Sequence, residues 1–193
     1  LLYADLKARL ARHRRPPDDL KILSGVTICA AGTDGEAEAL MRDLDALVPD
    51  AVALDYLAKM TGMRVAGLAP DQPMPAPAEE HLGPTGIGKA IVAMARSEGL
   101  TVRQTARRIL PQMAGNMIVG SARRVADVME EWYRGGACDG FMIAAPVVPT
   151  GLERFIRLVV PELRRRGLVR AEYAGKTLRE NLGLRRPPNW HFA

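Results

Sequence analysis

A chain of 193 residues is long enough for one domain with a real core. Its 48% apolar and 25% charged residues give the balance of a soluble globular protein, with no apolar run near the roughly 20 residues that span a bilayer. The net charge of +5 is weak grounds for a nucleic-acid partner, because the basic clusters Arg12, Arg14, Arg15 and Arg164, Arg165, Arg166 fall at helix ends that favour cations. His13, His81 and His191 lie far apart, and neither Cys29 nor Cys138 has a Cys or His two to four residues away, so no metal-ligand spacing is present. Two thiols without a dense disulfide pattern fit a reducing cytoplasm. The first residues carry charge at once, show no signal peptide, and lack an initiator Met, so residue 1 is expected not to be a natural start.

Taken in order, Leu2, Leu6 and Leu10 share one helical face, and Pro16-Pro17 stops that helix. Residues 21–31 form a β-rich run too apolar for a half-exposed strand, as a parallel sheet covered on both faces requires. Thr33 and Glu36 have capping-box spacing, opening an acidic helix to about residue 48, and a shorter helix follows at about 51–60. From 62 to 83 the pattern breaks, with Pro70, Pro73, Pro75 and Pro77 closely spaced, which reads as an ordered loop or lid. Helix returns at about 87–97, and Thr101 with Gln104 caps another to about 109. Met117-Ile118-Val119 is a brief extended piece.

The last third is the most legible. Ser121 is an N-cap candidate ahead of the face Val125, Val128, Met129 and Trp132. Residues 139–145 read as a second buried strand. Leu152, Phe155, Ile156, Val159, Val160 and Leu163 then form an amphipathic stripe, with Pro161 expected to kink its helix. Strand, helical crossover and strand again mean an α/β fold with parallel pairing. Two parallel strands cannot close a barrel or cover their own edges, so the sequence describes part of a sheet.

Val159-Val160-Pro161-Glu162-Leu163, then Arg165-Arg166-Gly167-Leu168, Glu172-Tyr173, Thr177-Leu178-Arg179-Glu180 and Leu182-Gly183-Leu184 resemble the C-terminal end of a monooxygenase family. This is the flavin-dependent nitrilotriacetate and dibenzothiophene-sulfone monooxygenase type, within the bacterial-luciferase superfamily. Val119-Gly120, Val125-Ala126-Asp127, Glu131-Trp132 and Asp139-Gly140-Phe141 resemble its final helix and strand, and Tyr3-Ala4-Asp5-Leu6 and Glu98-Gly99-Leu100-Thr101 fit as well. The resemblance implies the C-terminal portion of a luciferase-like (β/α)8 TIM barrel, with an insertion after the penultimate strand at about 34–116 and a tail at about 168–193. It implies a cytoplasmic two-component enzyme: a partner flavin reductase supplies reduced FMN, and the oxygenase uses it with O2 to oxygenate a small organic substrate. No nucleic acid or membrane is involved, and homo-oligomers are expected at full length. Because whole barrels need about 250 residues, the 193 residues alone are expected to be inactive, without useful affinity for reduced FMN, and prone to self-association at exposed strand edges.

Active sites of such barrels lie at the C-terminal ends of the strands. Ala31 and Gly32 after one strand are therefore candidates for cofactor binding, and Phe141, Ile143 and Ala145 for the substrate pocket. Small residues there make room for a ligand, and equally serve simple packing. Met142 and Ala144 depart from the family pattern after the Phe, which bears on substrate class. His81, the one histidine in the lid, is the candidate proton donor; a surface histidine is the alternative. Gly83, Gly88 and Lys89 match G-x-x-x-x-G-K, the start of a phosphate-binding loop, which raises a nucleotide-binding module as a second reading. Ala90 replaces the Ser or Thr needed for Mg²⁺, however, and no strand precedes. An inactive fragment is the third reading.

Overall fold

The computed structural model describes residues 2–76, 86–110 and 116–187. In chain order the helices and strands are α1 Leu2–Arg12, β1 Leu23–Ala31, α2 Asp34–Ala46, α3 Asp50–Thr61, α4 Gly86–Ser97, α5 Val102–Ile109, β2 Asn116–Ser121, α6 Ala122–Arg134, β3 Gly140–Ala144, α7 Thr150–Arg154, α8 Val160–Arg165 and α9 Leu178–Asn181. They divide into two compact units, Leu1–Glu38 with Ile118–Ala193, and Ala39–Met117. Among the described residues no helix is long and apolar enough to cross a membrane.

The sheet has the order β2-β1-β3. β1 and β3 are parallel, as the crossover pattern predicts, with Val26 opposite Ile143 and Thr27 opposite Ala144. The sequence reads as two full strands with a brief extended piece at Met117-Ile118-Val119, and the structure makes that piece the core of a third strand, β2, which runs to Ser121 through Gly120, whose φ of +155° side chains rarely adopt.

One face of the sheet is packed throughout, while on the other Thr27, Cys29 and Ala31 in the second half of β1 are buried and the first half is open. Val26, Ile28 and Ala30 of β1 and Ile118 of β2 bury against Val125, Ala126 and Met129 of α6 and against Phe155, Val159 and Leu163. Phe141 and Ile143 of β3 lean on the same cluster, and the Phe141 ring lies 6.3 Å from that of Trp132. The stripe after residue 150 is thus only partly realised, because Leu152 and Ile156 are exposed. Between α7 and α8 the helix widens into a π turn, Phe155–Val159, in which the Val160 N–H donates to the Phe155 carbonyl. Pro161 lacks an N–H and crowds the carbonyl four residues back. The wide turn just ahead of it takes up the misfit where the sequence predicts a kink.

Charged groups lock the helices in place. Asp139, just ahead of β3, accepts from the Ile22 amide at 2.8 Å and the Tyr3 hydroxyl at 2.9 Å, and pairs with Lys7 at 2.9 Å. Partial desolvation would raise its pKa, but these donors outweigh it and hold the carboxyl below the usual carboxylate range. Arg166 reaches Asp127 at 2.7 Å, Glu162 at 2.8 Å and Glu130 at 2.9 Å. The second arginine cluster therefore ties α8 to α6 through carboxylates, beyond any helix dipole.

The second unit has its own core. Ala53 and Leu57 of α3, Ile91, Val92 and Ala95 of α4 and Val102, Ala106 and Ile109 of α5 are buried together with Val65 and Met74. The Thr101–Gln104 capping box forms as predicted. α4 starts at Gly86, so Gly88 and Lys89 are helical. A Cβ on Gly88 would stand 3.1 Å from the Met60 carbonyl oxygen and 3.2 Å from the Thr61 Cα. Close approach of two helices therefore accounts for this glycine without any phosphate.

Candidate functional site

Strands β1 and β3 and their C-terminal ends hold the cofactor and substrate candidates read from the sequence. Side chains alternate along a strand, so the packing of Val26 and Phe141 turns Gly25 and Met142, which are paired in register, to the other face. Nothing lies within 4 Å of a Cβ built on Gly25, and Met142 is 63% exposed. Leu23 and Ala144 on the same face are exposed as well. Farther along the same face of β1, Thr27, Cys29 and Ala31 are buried, so the opening is an apolar patch of Leu23, Gly25, Met142 and Ala144, an unfinished surface.

At the strand ends, Ala31 is buried and Gly32 exposed. A Cβ on Gly32 would meet Glu36 Oε2 at 2.8 Å, so glycine leaves room for the capping carboxylate. The box forms as the spacing predicts: the Glu36 amide donates to Thr33 Oγ1 at 3.2 Å, and the Thr33 amide to Glu36 Oε2 at 3.3 Å. Next to it, Asp34 Oδ1 accepts from the Ser121 amide at 2.7 Å, joining the ends of β1 and β2. That amide, the Ser121 hydroxyl and the charge of Arg124 hold the Asp34 carboxyl below its ordinary pKa. Ser121 also caps α6, accepting from the Arg124 amide. Gly120 is required here, because its Cβ would lie 2.9 Å from Asp34 Oδ1 and 2.6 Å from Arg124 Cδ.

The sequence-predicted residues separate accordingly. Ala31 and Gly32 lie at the strand end, beside a polar edge of Asp34, Glu36, Ser121 and Arg124. Phe141 and Ile143 point into the helix-side core, while Met142 and Ala144 hold the open face. Ala145 is half-buried against α7, where a Cβ on Gly151 would come within 2.8 Å of its own. His81 lies outside the described residues, as do Gly83 and His191. Sequence reasoning missed Asp34 and Ser121 as a pair, because they are separated by 87 positions and each reads locally as a helix-start residue. Cys29, buried, donates weakly to the Ala37 carbonyl at 3.8 Å, and desolvation raises its thiol pKa, partly offset by Arg154, so it is a poor nucleophile. Among the described residues no group of three or more His, Cys, Asp or Glu could hold a metal ion.

Comparison with known proteins adds to this geometry. No family model matches the chain. Over 188 residues it is 38% identical to nitrilotriacetate monooxygenase component A of Aminobacter aminovorans, covering 97% of this chain and 42% of that protein. Over 194 residues it is 32% identical to dibenzothiophene-sulfone monooxygenase of Rhodococcus erythropolis, covering 96% and 42%. The chain is a homologue of these monooxygenases. It spans about two fifths of the length of the relatives it matches. Among solved structures, DmoA from Hyphomicrobium sulfonivorans superposes with a TM-score of 0.75 at 28% identity, over 93% of this chain and 37% of that one. The riboflavin lyase RcaE, solved with modified FMN and riboflavin, gives 0.66 at 27% identity, over 94% and 39%. The parallel β1–β3 pair with its helices is consistent with part of the barrel of these luciferase-like enzymes.

Proposed function

We propose that the chain forms the C-terminal portion of a cytoplasmic two-component monooxygenase that takes reduced FMN from a partner reductase and oxygenates a small organic substrate. The open apolar patch of Leu23, Gly25, Met142 and Ala144 carries this reading: a sheet face covered over only part of its length is what a barrel wall becomes when its lumen is closed by the rest of the barrel. In the assembled barrel, Met142 and Ala144 wall the lumen, and Ala31 and Gly32 border the cofactor at the strand ends. When bound, the reduced flavin supplies the O2 chemistry. This chain's own side chains exclude water from it. They fit the flat, apolar ring portion of the flavin. Its phosphate fits less well, because Asp34 and Glu36 bring two carboxylates to this edge beside Arg124, so the phosphate is held by residues outside this chain. The relative named component A supports a reductase partner. His81 is the proposed proton donor of the lid, and the full-length enzyme associates with itself.

The test joins the N-terminal part of the Aminobacter relative ahead of residue 1 and titrates chimera and chain with FMN reduced under anaerobic conditions. Fluorescence quenching at micromolar protein is expected for the chimera and absent for the chain. A folded chimera that binds no reduced FMN would overturn the proposal.

A further inference from the structure

Beyond the sheet, the C-terminal tail folds back on the segment that leads into β1 and builds a second concavity. The Arg185 guanidinium forks onto Asp19, with Nη2 2.9 Å from both carboxylate oxygens. Arg15 Nη2 donates to the Asp19 carbonyl at 3.0 Å, and Arg179 Nη1 donates to the Arg185 carbonyl at 3.1 Å. The hollow between them has a volume of about 590 Å³, within the range of small-molecule sites. Arg15, Arg179, Arg185 and Arg186 line it against one carboxylate, Asp19, with Leu184 as an apolar wall. Asp19 is already engaged by Arg185. Among the described residues neither Arg179 nor Arg186 has an ion-pair partner, and Arg186 makes no hydrogen bond at all. The hollow therefore carries positive charge that the described residues do not neutralise. It lies where β1 begins, with Asp19 four positions ahead of Leu23, and so away from the C-terminal strand ends.

We propose that this hollow binds a phosphoryl-bearing anion of two or more negative charges. Guanidinium forks match phosphate oxygens, and each such bond is charge-assisted. Here the forks come from three places: Arg15 in the segment after α1, Arg179 in α9, and Arg185 and Arg186 in the tail. A carboxylate offers two coplanar oxygens, which one fork satisfies. A tetrahedral phosphoryl group offers oxygens in several directions and serves several forks. Bound there, the anion clamps the tail to the α1 side of the unit.

Calorimetric titration of the 193-residue chain with inorganic pyrophosphate, at ionic strength fixed with chloride, tests this. A parallel titration with glycerol phosphate separates a free inorganic anion from the phosphate end of an organic molecule. One saturable site is expected, and pyrophosphate should slow tryptic cleavage after Arg185. R186Q removes no bond among the described residues, so circular dichroism should stay unchanged while the dissociation constant rises roughly tenfold or more, the loss of one charge-assisted bond. R9Q, which changes an exposed arginine elsewhere, should bind as the parent does. Absence of saturable binding to either anion, undiminished affinity in a folded R15Q/R186Q variant, or equally tight binding of tricarboxylic citrate would overturn the proposal.

Discussion

Two glycines of α4 give opposite expectations for the same substitution. In G88A the new methyl would sit 3.1 Å from the Met60 carbonyl oxygen, 3.2 Å from the Thr61 Cα and 3.3 Å from the Thr61 carbonyl oxygen. All three are backbone atoms of α3 or its C-terminus, so relief requires α4 to move away from a helix whose Leu57 is fully buried. Overpacking of this kind costs about 1–3 kcal/mol, while alanine in a helix returns roughly 0.5–1 kcal/mol over glycine. The balance is a loss of about 1 kcal/mol, or about 2–4 °C in Tm for a chain of this size. In G86A nothing lies within 4 Å of the new methyl, so only the propensity gain remains, roughly 0.5 kcal/mol of stabilisation. Urea unfolding followed at 222 nm measures both. A G88A protein as stable as the parent or more so would refute the packing argument and return Gly88 to consideration as part of a phosphate loop.

Acid should weaken the α6–α8 tie. Arg165 and Arg166 hold the Glu162 carboxyl down at about 2, against an ordinary 4.5, and a depressed carboxylate stabilises the fold above its unfolded value and loses that as pH falls through its folded one. The urea midpoint should therefore decline between about pH 4.5 and 2, and R166Q should flatten the decline; parallel profiles for the two proteins would contradict the assignment. Cys29 and Cys138 are buried with thiols raised by desolvation, so a disulfide reagent at pH 8 should label neither in the native chain and both in urea. Rapid native labelling of either would place it outside the core.

What the sequence disclosed is what is local. The capping boxes at Thr33 and Thr101, the N-cap Ser121 and the strand over residues 21–31 are each decided by neighbours a few positions away, and the structure keeps them. Periodicity failed where the backbone departs from regular geometry. The π turn before Pro161 adds one residue to the helical repeat within the stripe, and Phe155, Val159 and Leu163 keep the buried face while Ile156 leaves it. Facing was the other gap. A run such as Gly140-Phe141-Met142-Ile143-Ala144 is apolar at almost every position, so alternation cannot tell the helix side from the lumen side. Phe141, the most conspicuous side chain, reads from the sequence as either a ligand contact or a core residue. Its ring packs near Trp132, and Met142 takes the open position. The pairing of Asp34 with Ser121 links positions 87 apart, and no local pattern could have announced it.

That reassignment bears on substrate chemistry. In the proposed enzyme the lumen face of β3 presents Met142 and Ala144, an unbranched thioether and a methyl, with Gly25 beside Met142 adding no side chain. None of these carries charge, the one hydroxyl on this face of β1, that of Thr27 opposite Ala144, is buried, and methionine adapts to irregular apolar shapes. A polyanionic substrate would lose its hydration against this wall without compensation, so any charged group it carried would have to be met by the rest of the barrel. This wall by itself suits an apolar or neutral substrate portion. M142K in the full-length enzyme should therefore raise KM for an apolar substrate while leaving reduced-FMN binding at the strand ends unchanged. Equal KM values in parent and variant would show that Met142 does not face the substrate, and would return that role to the family's other strands.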